Sequence, residues 1–199
     1  MVKPDDQDTS RKDRILQAAG ELIVEVGWTN VTTRLISKRA GVNNALIHYY
    51  FGTKDDLLLE AASVAFEAEM SGPMTMMEEA GSIAEVLKDA FAWLRSMDVR
   101  SPLMVISMEA AHQAVRDERV GAWIRGVWSG YFDLFAATIT AGQERGEISP
   151  YFDANGLAVV LGALVDGLFL YRLVELNFDA EKTAGAIDAL IDALAKGTQ

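Results

Sequence analysis

The sequence contains no cysteine and only two histidines, His48 and His112, among its 199 residues. Without cysteine, neither disulfide bonds nor thiolate metal sites can form. The two histidines lie far apart, and the sequence has neither a His-Glu-x-x-His motif nor a phosphate-cradling glycine loop. We therefore expect no catalytic residues, no metal site and no cofactor. An all-helical enzyme is a rival interpretation that these absences disfavour.

Long apolar runs without charge are also missing. The longest runs include residues 156–165 and 168–171, which are separated by Asp166 and followed by Arg172. A membrane-spanning helix needs about 20 apolar residues. The first thirteen residues have no apolar core like that of a secretory signal. We therefore expect a cytoplasmic protein without a membrane partner, and we predict that both runs belong to a buried helix.

Half of the residues are hydrophobic, enough for one substantial core or for a small domain beside a larger one. The net charge of -11 would usually argue against a nucleic-acid partner, because duplex binding requires cations that neutralise phosphates. However, residues 11–54 carry seven basic against three acidic residues, a local net charge of +4. This asymmetry indicates a DNA-facing N-terminal end. For Arg14 or Arg39 taken singly, a solvated helix surface is the better explanation.

Residues 32–54 have the pattern of two short helices joined by a tight turn. Thr32 or Thr33 can cap the first helix, Gly41 permits the sharp turn, and Asn43 can cap a second helix over residues 44–50. The apolar positions of the second helix predict an inward face of Leu46, Ile47, Tyr50 and Phe51 and an outward face of Asn44, Ala45, His48 and Tyr49. Short polar side chains and an aromatic ring on an exposed second helix suit base edges and phosphates in a major groove.

The spacing of this motif is specific, and it is carried by Thr32, Arg34, Ile36, Ala40-Gly41-Val42, Ile47, Tyr50-Phe51 and Lys54-x-x-Leu57. It resembles the signature of the tetracycline-repressor (TetR) family of bacterial transcriptional regulators. The resemblance implies an all-helical, homodimeric repressor that binds double-stranded operator DNA and is released by a small-molecule effector. The sequence departs from the family's usual residues at Ser37, Asn43, Ala45 and His48, the last of which stands where the family usually has a phosphate-contacting tyrosine. These departures concern which operator is recognised.

Motif and resemblance together predict the DNA-binding residues Thr32, Thr33, Arg34, Asn43, Asn44, Ala45, His48, Tyr49 and Lys54. Lys54 lies in the first turn of a predicted helix, where the helix dipole favours anions. A nearby phosphate would explain a cation there, and an exposed, solvated lysine is the alternative.

The expected fold class is all-α with about nine helices. An N-terminal three-helix helix-turn-helix DNA-binding domain, residues 1–55, precedes a C-terminal helical ligand-binding and dimerisation domain, residues 56–199. Residues 1–9 are predicted to be a frayed arm, and the first helix is predicted to begin at the Ser10–Asp13 capping box and to end at Gly27, with Trp28 packing beneath the motif. The remaining helices are predicted over residues 53–70, 82–97, 102–114, 117–142, 153–177 and 179–197, with residues 71–79 as a loop or frayed turn.

The last two predicted helices are unusually apolar. In the resembled family they form a four-helix bundle with their mates in a second subunit, which suits a palindromic operator. The predicted dimer interface comprises Leu157, Leu161, Leu164, Leu168, Ile187, Leu190, Ile191 and Leu194. The alternative is that these side chains fill the core of a single subunit.

The predicted helix over residues 53–70 would join the DNA-binding domain to the C-terminal domain, and we call it the linker helix. Methionines and aromatic residues cluster between this helix and the middle of the C-terminal domain, and such side chains line adaptable apolar pockets. The predicted site for a small, largely apolar or aromatic effector comprises Phe66, Met70, Phe91, Met104, Met108, His112, Trp123 and Trp128. Core filling is the alternative for each of them. Glu109, His112 and Arg125 could orient a ligand or face solvent. Bound effector would shift the linker helix and change the spacing of the two recognition helices, which must match about 34 Å of duplex. A helical carrier or adaptor that never binds DNA is the alternative function.

Overall fold

The structure, a computed structural model, describes residues 4–98, 100–174 and 179–196. Within these ranges the chain forms nine α-helices and one 3₁₀ turn, Trp28–Asn30, and no strand. The prediction of an all-α fold with about nine helices is therefore confirmed. The helices are α1 Pro4–Val26, α2 Thr33–Ala40, α3 Asn44–Phe51, α4 Lys54–Glu79, α5 Ile83–Ser96, α6 Pro102–Ala114, α7 Glu118–Glu144, α8 Ala154–Leu173 and α9 Ala180–Lys196.

The described residues pack into two compact units. The first takes its residues from Met1–Ser71 and Arg100–Ile124, and the second from Gly72–Val99 and Arg125–Gln199. Helices α4 and α7 contribute to both units, and α6 packs with the N-terminal helices. These units group the chain differently from the predicted functional domains, residues 1–55 and 56–199, which stay a prediction.

The core of the first unit is built on the apolar face of α1. Ile15 and Ile23 of α1 are fully buried, as are Ile36 of α2 and Ile47 of α3. These side chains pack in one cluster with residues of α4 and α6. Trp28 is 5% exposed and belongs to the same cluster, so the prediction that it packs beneath the helix-turn-helix is confirmed.

The second unit has its own core, formed by α5, the later part of α7, α8 and α9. Buried side chains such as Val86, Phe135 and Leu161 meet there. Helices α7 and α8 approach closely at Gly162, since a Cβ atom built on this glycine would lie 2.7 Å from Cε1 of Phe132.

Two predicted helix boundaries were wrong. Helix α1 begins at Pro4, not at Ser10, so residues 4–9 are helical and no frayed arm extends over them. Proline suits the first position of a helix, and the acidic residues that follow it favour a helix N-terminus. Helix α4 continues to Glu79 through Pro73, where a loop was expected. Met70 and Met77, on either side of the proline, are each only 8% exposed, and their burial stabilises the continuous helix.

Within the single chain, helix α8 is less buried than the sequence predicted. Its apolar stretch Ala154–Arg172 is long and apolar enough to cross a membrane by length and composition, and only 17% of the stretch is buried. No other helix of the described residues meets that criterion. Val159, Val160, Leu170, Tyr171 and Val174 are exposed along it. The predicted continuation of this helix to Asn177 lies outside the described residues, as does the predicted end of α9 at Gly197.

Candidate nucleic-acid interface

Helix α2 has the boundaries that the sequence predicted. The Thr32 hydroxyl oxygen caps it by accepting a hydrogen bond from the Leu35 amide at 3.2 Å. Gly41 ends it with φ 65°, a left-handed conformation that glycine adopts without a Cβ clash. Thr33 is half-buried and Arg34 is exposed at the start of the helix.

Helix α3 presents the predicted outward residues, with one difference. Asn43 caps the helix, since its Oδ1 accepts a hydrogen bond from the Ala45 amide at 2.9 Å. Ala45 and His48 are exposed, and Tyr49 is 78% exposed. Asn44, by contrast, is half-buried, and its Oδ1 is shielded from solvent without a hydrogen-bond partner within the described ranges. The exposed surface of α3 is therefore Asn43, Ala45, His48 and Tyr49, which we call the α3 face.

The imidazole ring of His48 is held by the backbone at the end of α3. Its Nδ1 lies 3.2 Å from the carbonyl oxygen of Gly52. The Gly52 amide in turn donates to the His48 carbonyl oxygen at 3.1 Å. Gly52 has φ 70°, so a residue with a side chain would be strained at this position.

An acidic side chain of α1 lies beside α3. The Tyr50 hydroxyl donates a hydrogen bond to the Asp8 carboxylate, across 42 residues of sequence. This bond, with burial as a smaller cause, raises the pKa of the Tyr50 phenol. The Tyr50 ring meets the Tyr49 ring edge to face, with centroids 5.3 Å apart. Asp8 was not among the predicted site residues. The one sequence signal for its position is that residues 8, 12 and 15 share a side of α1 if the helix extends that far.

Several cations of the basic N-terminal segment are engaged within the first unit. Arg39 binds Glu25 of α1 through two bonds of 2.8 and 2.6 Å and Glu21 through one of 3.2 Å. The Arg39 guanidinium thereby lowers the pKa of the Glu25 carboxyl. Lys12 pairs with Glu60 at 2.6 Å. These residues join helices together and are not free to neutralise phosphates.

The cations that remain available include two on α2 and one at the start of α4. Arg34 and Lys38 are exposed and form no ion pair within the described ranges. Lys54 is half-buried, and its Nζ lies 4.0 Å from Oδ1 of Asp55, a weak contact. Arg34 and Lys54 are therefore the charged members of the predicted set that could meet a phosphate.

The predicted effector residues fall in both units, and the two sets are described separately. In the first unit, the Phe66 and Trp123 rings meet edge to face with centroids 5.8 Å apart. Met104 is 1% exposed and Met70 8%, Met108 is half-buried, and His112 is exposed and accepts a hydrogen bond from Arg116 at 2.6 Å. In the second unit, Phe91 is 7% exposed and Trp128 is 49% exposed.

Glu109 has a structural contact that sequence reasoning missed. Its Oε2 accepts a hydrogen bond from the Trp28 amide at 3.0 Å, across 81 residues of sequence. The carboxylate also lies against Gly27, where a Cβ atom would approach Oε1 to 3.2 Å. Glu109 therefore joins α6 to the segment after α1. No single-sequence signal could have paired positions so far apart.

The predicted dimer residues divide between core and surface. Leu161, Ile187 and Leu194 are at most 8% exposed and belong to the second unit's own core. A side chain already buried in one subunit has little area to give a second, and the assignment of these three residues to an interface stays a prediction. Leu157, Leu164, Leu168 and Ile191 are half-buried. Leu190 is 37% exposed.

Sequence families match both parts of the chain. The family described as "Bacterial regulatory proteins, tetR family" matches residues 15–61, which include the whole helix-turn-helix. The family described as "BetI-type transcriptional repressor, C-terminal" matches residues 84–196, more than half of the chain.

Similar proteins and structures agree with these matches. The HTH-type transcriptional regulator BetI of Agrobacterium fabrum (strain C58) is 29% identical over 161 residues, covering 80% of this chain and 75% of that protein. A transcriptional regulator from Saccharomonospora viridis, solved in complex with choline, has a TM-score of 0.76 at 24% identity and covers 92% of this chain and 96% of that one. A regulator from Pseudomonas aeruginosa PAO1 has a TM-score of 0.77 at 22% identity, with 98% and 93% covered. At these identities the two structures show the shared fold.

The helix-turn-helix, the family matches and the shared fold agree with one another. They confirm the predicted family resemblance and give no support to the enzyme or carrier interpretations. The chain belongs to the TetR family of bacterial regulatory proteins and is a DNA-binding transcriptional repressor with a BetI-type C-terminal region.

Proposed function

We propose that this repressor binds a palindromic operator as a cytoplasmic homodimer, with the α3 face of each subunit in the major groove, and that a small effector releases it. The observation that carries the proposal is the α3 face, where His48 and the 78% exposed Tyr49 project from a capped helix held on a buried core. Asn43 and Ala45 lie at the N-terminal end of α3, the end that reads base edges in this motif. Arg34 and Lys54 supply charge for backbone phosphates.

The proposed dimer surface is the exposed apolar side of α8. Little of α8 is buried, and apolar side chains are exposed on it and just after it, namely Val159, Val160, Leu170, Tyr171 and Val174. Leu190 of α9 is the predicted interface residue with the clearest exposure. A two-fold axis through this surface would repeat α3 at both halves of a palindrome. We propose residues 1–55 as the functional DNA-binding domain and residues 56–199 as the ligand-binding and dimerisation domain.

The effector is proposed to be small and largely apolar or aromatic in surface. The Phe66 and Trp123 pair offers aromatic faces of this kind in the first unit. The Saccharomonospora viridis regulator holds choline, a quaternary ammonium compound, and such cations bind aromatic faces. Choline is therefore the first compound to test, beside uncharged aromatic compounds of similar size.

The operator test compares two tyrosines of similar exposure. Tyr49 is 78% exposed on α3, and Tyr151 is 72% exposed in the second unit. We expect selection from random duplexes to yield a palindromic operator. Tyr49→Ala should weaken binding to this operator about tenfold or more, and Tyr151→Ala should bind it like wild type. Equal effects of the two substitutions would contradict the assignment of the α3 face.

The dimer test uses Val160, which is 63% exposed on α8. Val160→Arg places a charge in the proposed interface, and we expect it to give monomers in sedimentation equilibrium and to lose operator binding. Tyr151→Arg, at an exposed position that precedes α8, is the control and should remain dimeric. A Val160→Arg protein that sediments as a dimer would exclude this surface.

The effector test measures both directions of the linkage. A true effector must weaken operator affinity, and operator must weaken effector affinity by the same factor. We expect choline or an aromatic compound to do both in titrations of the full protein. A compound that saturates the protein without changing operator affinity is not the effector.

A further inference from the structure

The proton positions on the His48 ring follow from its contact with Gly52. A carbonyl oxygen only accepts hydrogen bonds, so Nδ1, which lies 3.2 Å from the Gly52 oxygen, must carry the hydrogen. In the neutral ring the other nitrogen, Nε2, then has no hydrogen and can only accept. The ring can donate a second hydrogen bond through Nε2 only as the imidazolium.

The Gly52 carbonyl favours this arrangement of the ring, and the backbone bond from the Gly52 amide to the His48 carbonyl fixes where the Gly52 carbonyl lies. The Gly52 amide donates to the His48 carbonyl at 3.1 Å while the Gly52 carbonyl accepts from Nδ1. Turning the ring over would leave that carbonyl without its imidazole partner. The backbone of the α3 C-terminus therefore selects which nitrogen is directed away from the helix end.

Position along α3 decides what Nε2 can meet. Helix α3 has eight residues, and His48 lies one full turn after Asn44 at its N-terminal end. In helix-turn-helix proteins the N-terminal residues of the second helix contact base edges, whereas contacts to the backbone position the protein. A phosphate oxygen is an anionic acceptor, which a neutral Nε2 cannot bind and an Nε2–H of an imidazolium can.

Apart from His48, helix α3 carries no charged side chain. The neighbour of His48 on α3 is Tyr49, and the charged residues that follow Gly52 are Lys54, Asp55 and Asp56. Nζ of Lys54 lies 4.0 Å from Oδ1 of Asp55, and Asp56 pairs with Arg119. In the part of the chain that the structure describes, no acidic or basic side chain of another helix makes a hydrogen bond or ion pair with the imidazole.

We propose that His48 binds a DNA phosphate as the imidazolium, through Nε2–H, and thereby couples duplex binding to the uptake of one proton by each subunit. This inference rests on the proposed function, in which the α3 face meets the duplex. Because a phosphate contact carries no sequence information, the coupling applies to operator and to unrelated duplex alike. Affinity for DNA therefore rises as the pH falls through the range in which histidine titrates.

The test measures duplex affinity by fluorescence anisotropy at fixed ionic strength, between about pH 8 and pH 6, where histidine titrates. As the pH falls over this range, we expect wild-type operator affinity to rise roughly tenfold for each contacting subunit. The reason is that each subunit gains a charge-assisted hydrogen bond that the neutral ring cannot make. His48→Gln donates from a similar position without titrating, so its affinity should be nearly independent of pH. Tyr151→Ala, at an exposed position of the second unit, should keep the wild-type response.

Three results would overturn the proposal. A wild-type affinity that does not change with pH excludes the coupling, and an unchanged pH response in His48→Gln assigns it to another group. A response confined to operator, absent with unrelated duplex, excludes a phosphate and indicates a base contact. Specific binding that is lost at every pH would instead overturn the proposed function, so the two failures are distinguishable.

A second measurement needs no DNA. Nitrogen-15 spectra of the free protein at about pH 8, where histidine is largely neutral, report which ring nitrogen bears the hydrogen. We expect the Nδ1–H form for His48. The Nε2–H form would overturn the proposal, because a neutral ring could then donate to phosphate without taking up a proton.

Discussion

Glu109 offers a direct test of whether a polar residue on an apolar helix serves a ligand or the fold. Its carboxylate accepts a hydrogen bond from the part-buried Trp28 amide at 3.0 Å. Glu109→Ala leaves that amide without a partner, and an unpaired part-buried donor costs about 1–3 kcal/mol. Glu109→Gln keeps an acceptor and loses the charge assistance, for which we expect about 1 kcal/mol. The alanine variant should therefore be the less stable of the two.

Hydrogen exchange at the Trp28 amide is the most specific assay, because it reports on the bond itself. A loss of about 2 kcal/mol corresponds to roughly thirtyfold faster exchange if the amide exchanges through local opening. Urea denaturation followed by circular dichroism gives the accompanying change in the free energy of unfolding. Unchanged exchange at Trp28 in Glu109→Ala, together with weaker effector binding, would refute the structural role and favour a ligand contact.

Three further predictions concern residues at other sites. Ile36→Ala should lower the free energy of unfolding by about 2–5 kcal/mol, because this isoleucine is fully buried, whereas Leu35→Ala, at a position 41% exposed on the same helix, should cost much less. Urea denaturation of the two variants checks this, and equal costs would contradict the packing of α2. Asp166 is exposed as a residue, yet desolvation of its carboxyl raises its pKa above the value in the unfolded chain. Its contribution to stability is therefore present below the unfolded-state pKa and is lost as the pH rises, so Asp166→Asn should gain stability relative to wild type between about pH 4 and pH 7. Urea midpoints check this, and a stability difference that stays constant with pH would contradict the desolvation. Asp8→Asn keeps an acceptor for the Tyr50 hydroxyl and removes a negative charge beside α3. Affinity for any duplex should therefore rise about threefold at low salt, as measured in anisotropy titrations. An unchanged affinity would place the carboxylate too far from the phosphates.

The helix-turn-helix could be predicted in detail because its signals are local. Thr32 and Asn43 cap helices through bonds that span two or three residues, and Gly41 adopts the left-handed conformation for which glycine is favoured. The buried and exposed sides of α3 follow from a short apolar repeat, so Ile47 is buried and Tyr49 is exposed as expected. Neither prediction depended on the rest of the chain.

Two local rules failed where packing decided the outcome. Pro73 lies inside α4, although proline removes a helical hydrogen bond, because buried methionines on both sides stabilise the helix. The Ser10 capping box resembles a helix start, but α1 begins at Pro4. A capping signal is only a preference of about 1 kcal/mol, and a longer helix can continue through it.

The predicted dimer residues illustrate a different limit. An apolar stripe shows which side of a helix avoids water, but it does not show whether the same subunit or a second one covers it. Leu161 and Leu194 are covered within their own subunit, whereas Val160 and Leu190 remain exposed. Only the packing of α8 and α9 on α5 and α7 separates the two sets.

By itself the sequence determined the all-helical class, the helix-turn-helix and the family, because periodicity, caps and motif spacing are properties of neighbouring residues. The tertiary structure alone decided the contacts between distant segments, such as Tyr50 with Asp8, Arg39 with Glu25 and Trp28 with Glu109. These pairs are separated by 42, 14 and 81 residues, and the chain can bring them together only after its apolar faces have packed. A hydrogen bond or ion pair acts over a few ångströms, so its partner is fixed by the fold and not by distance along the sequence.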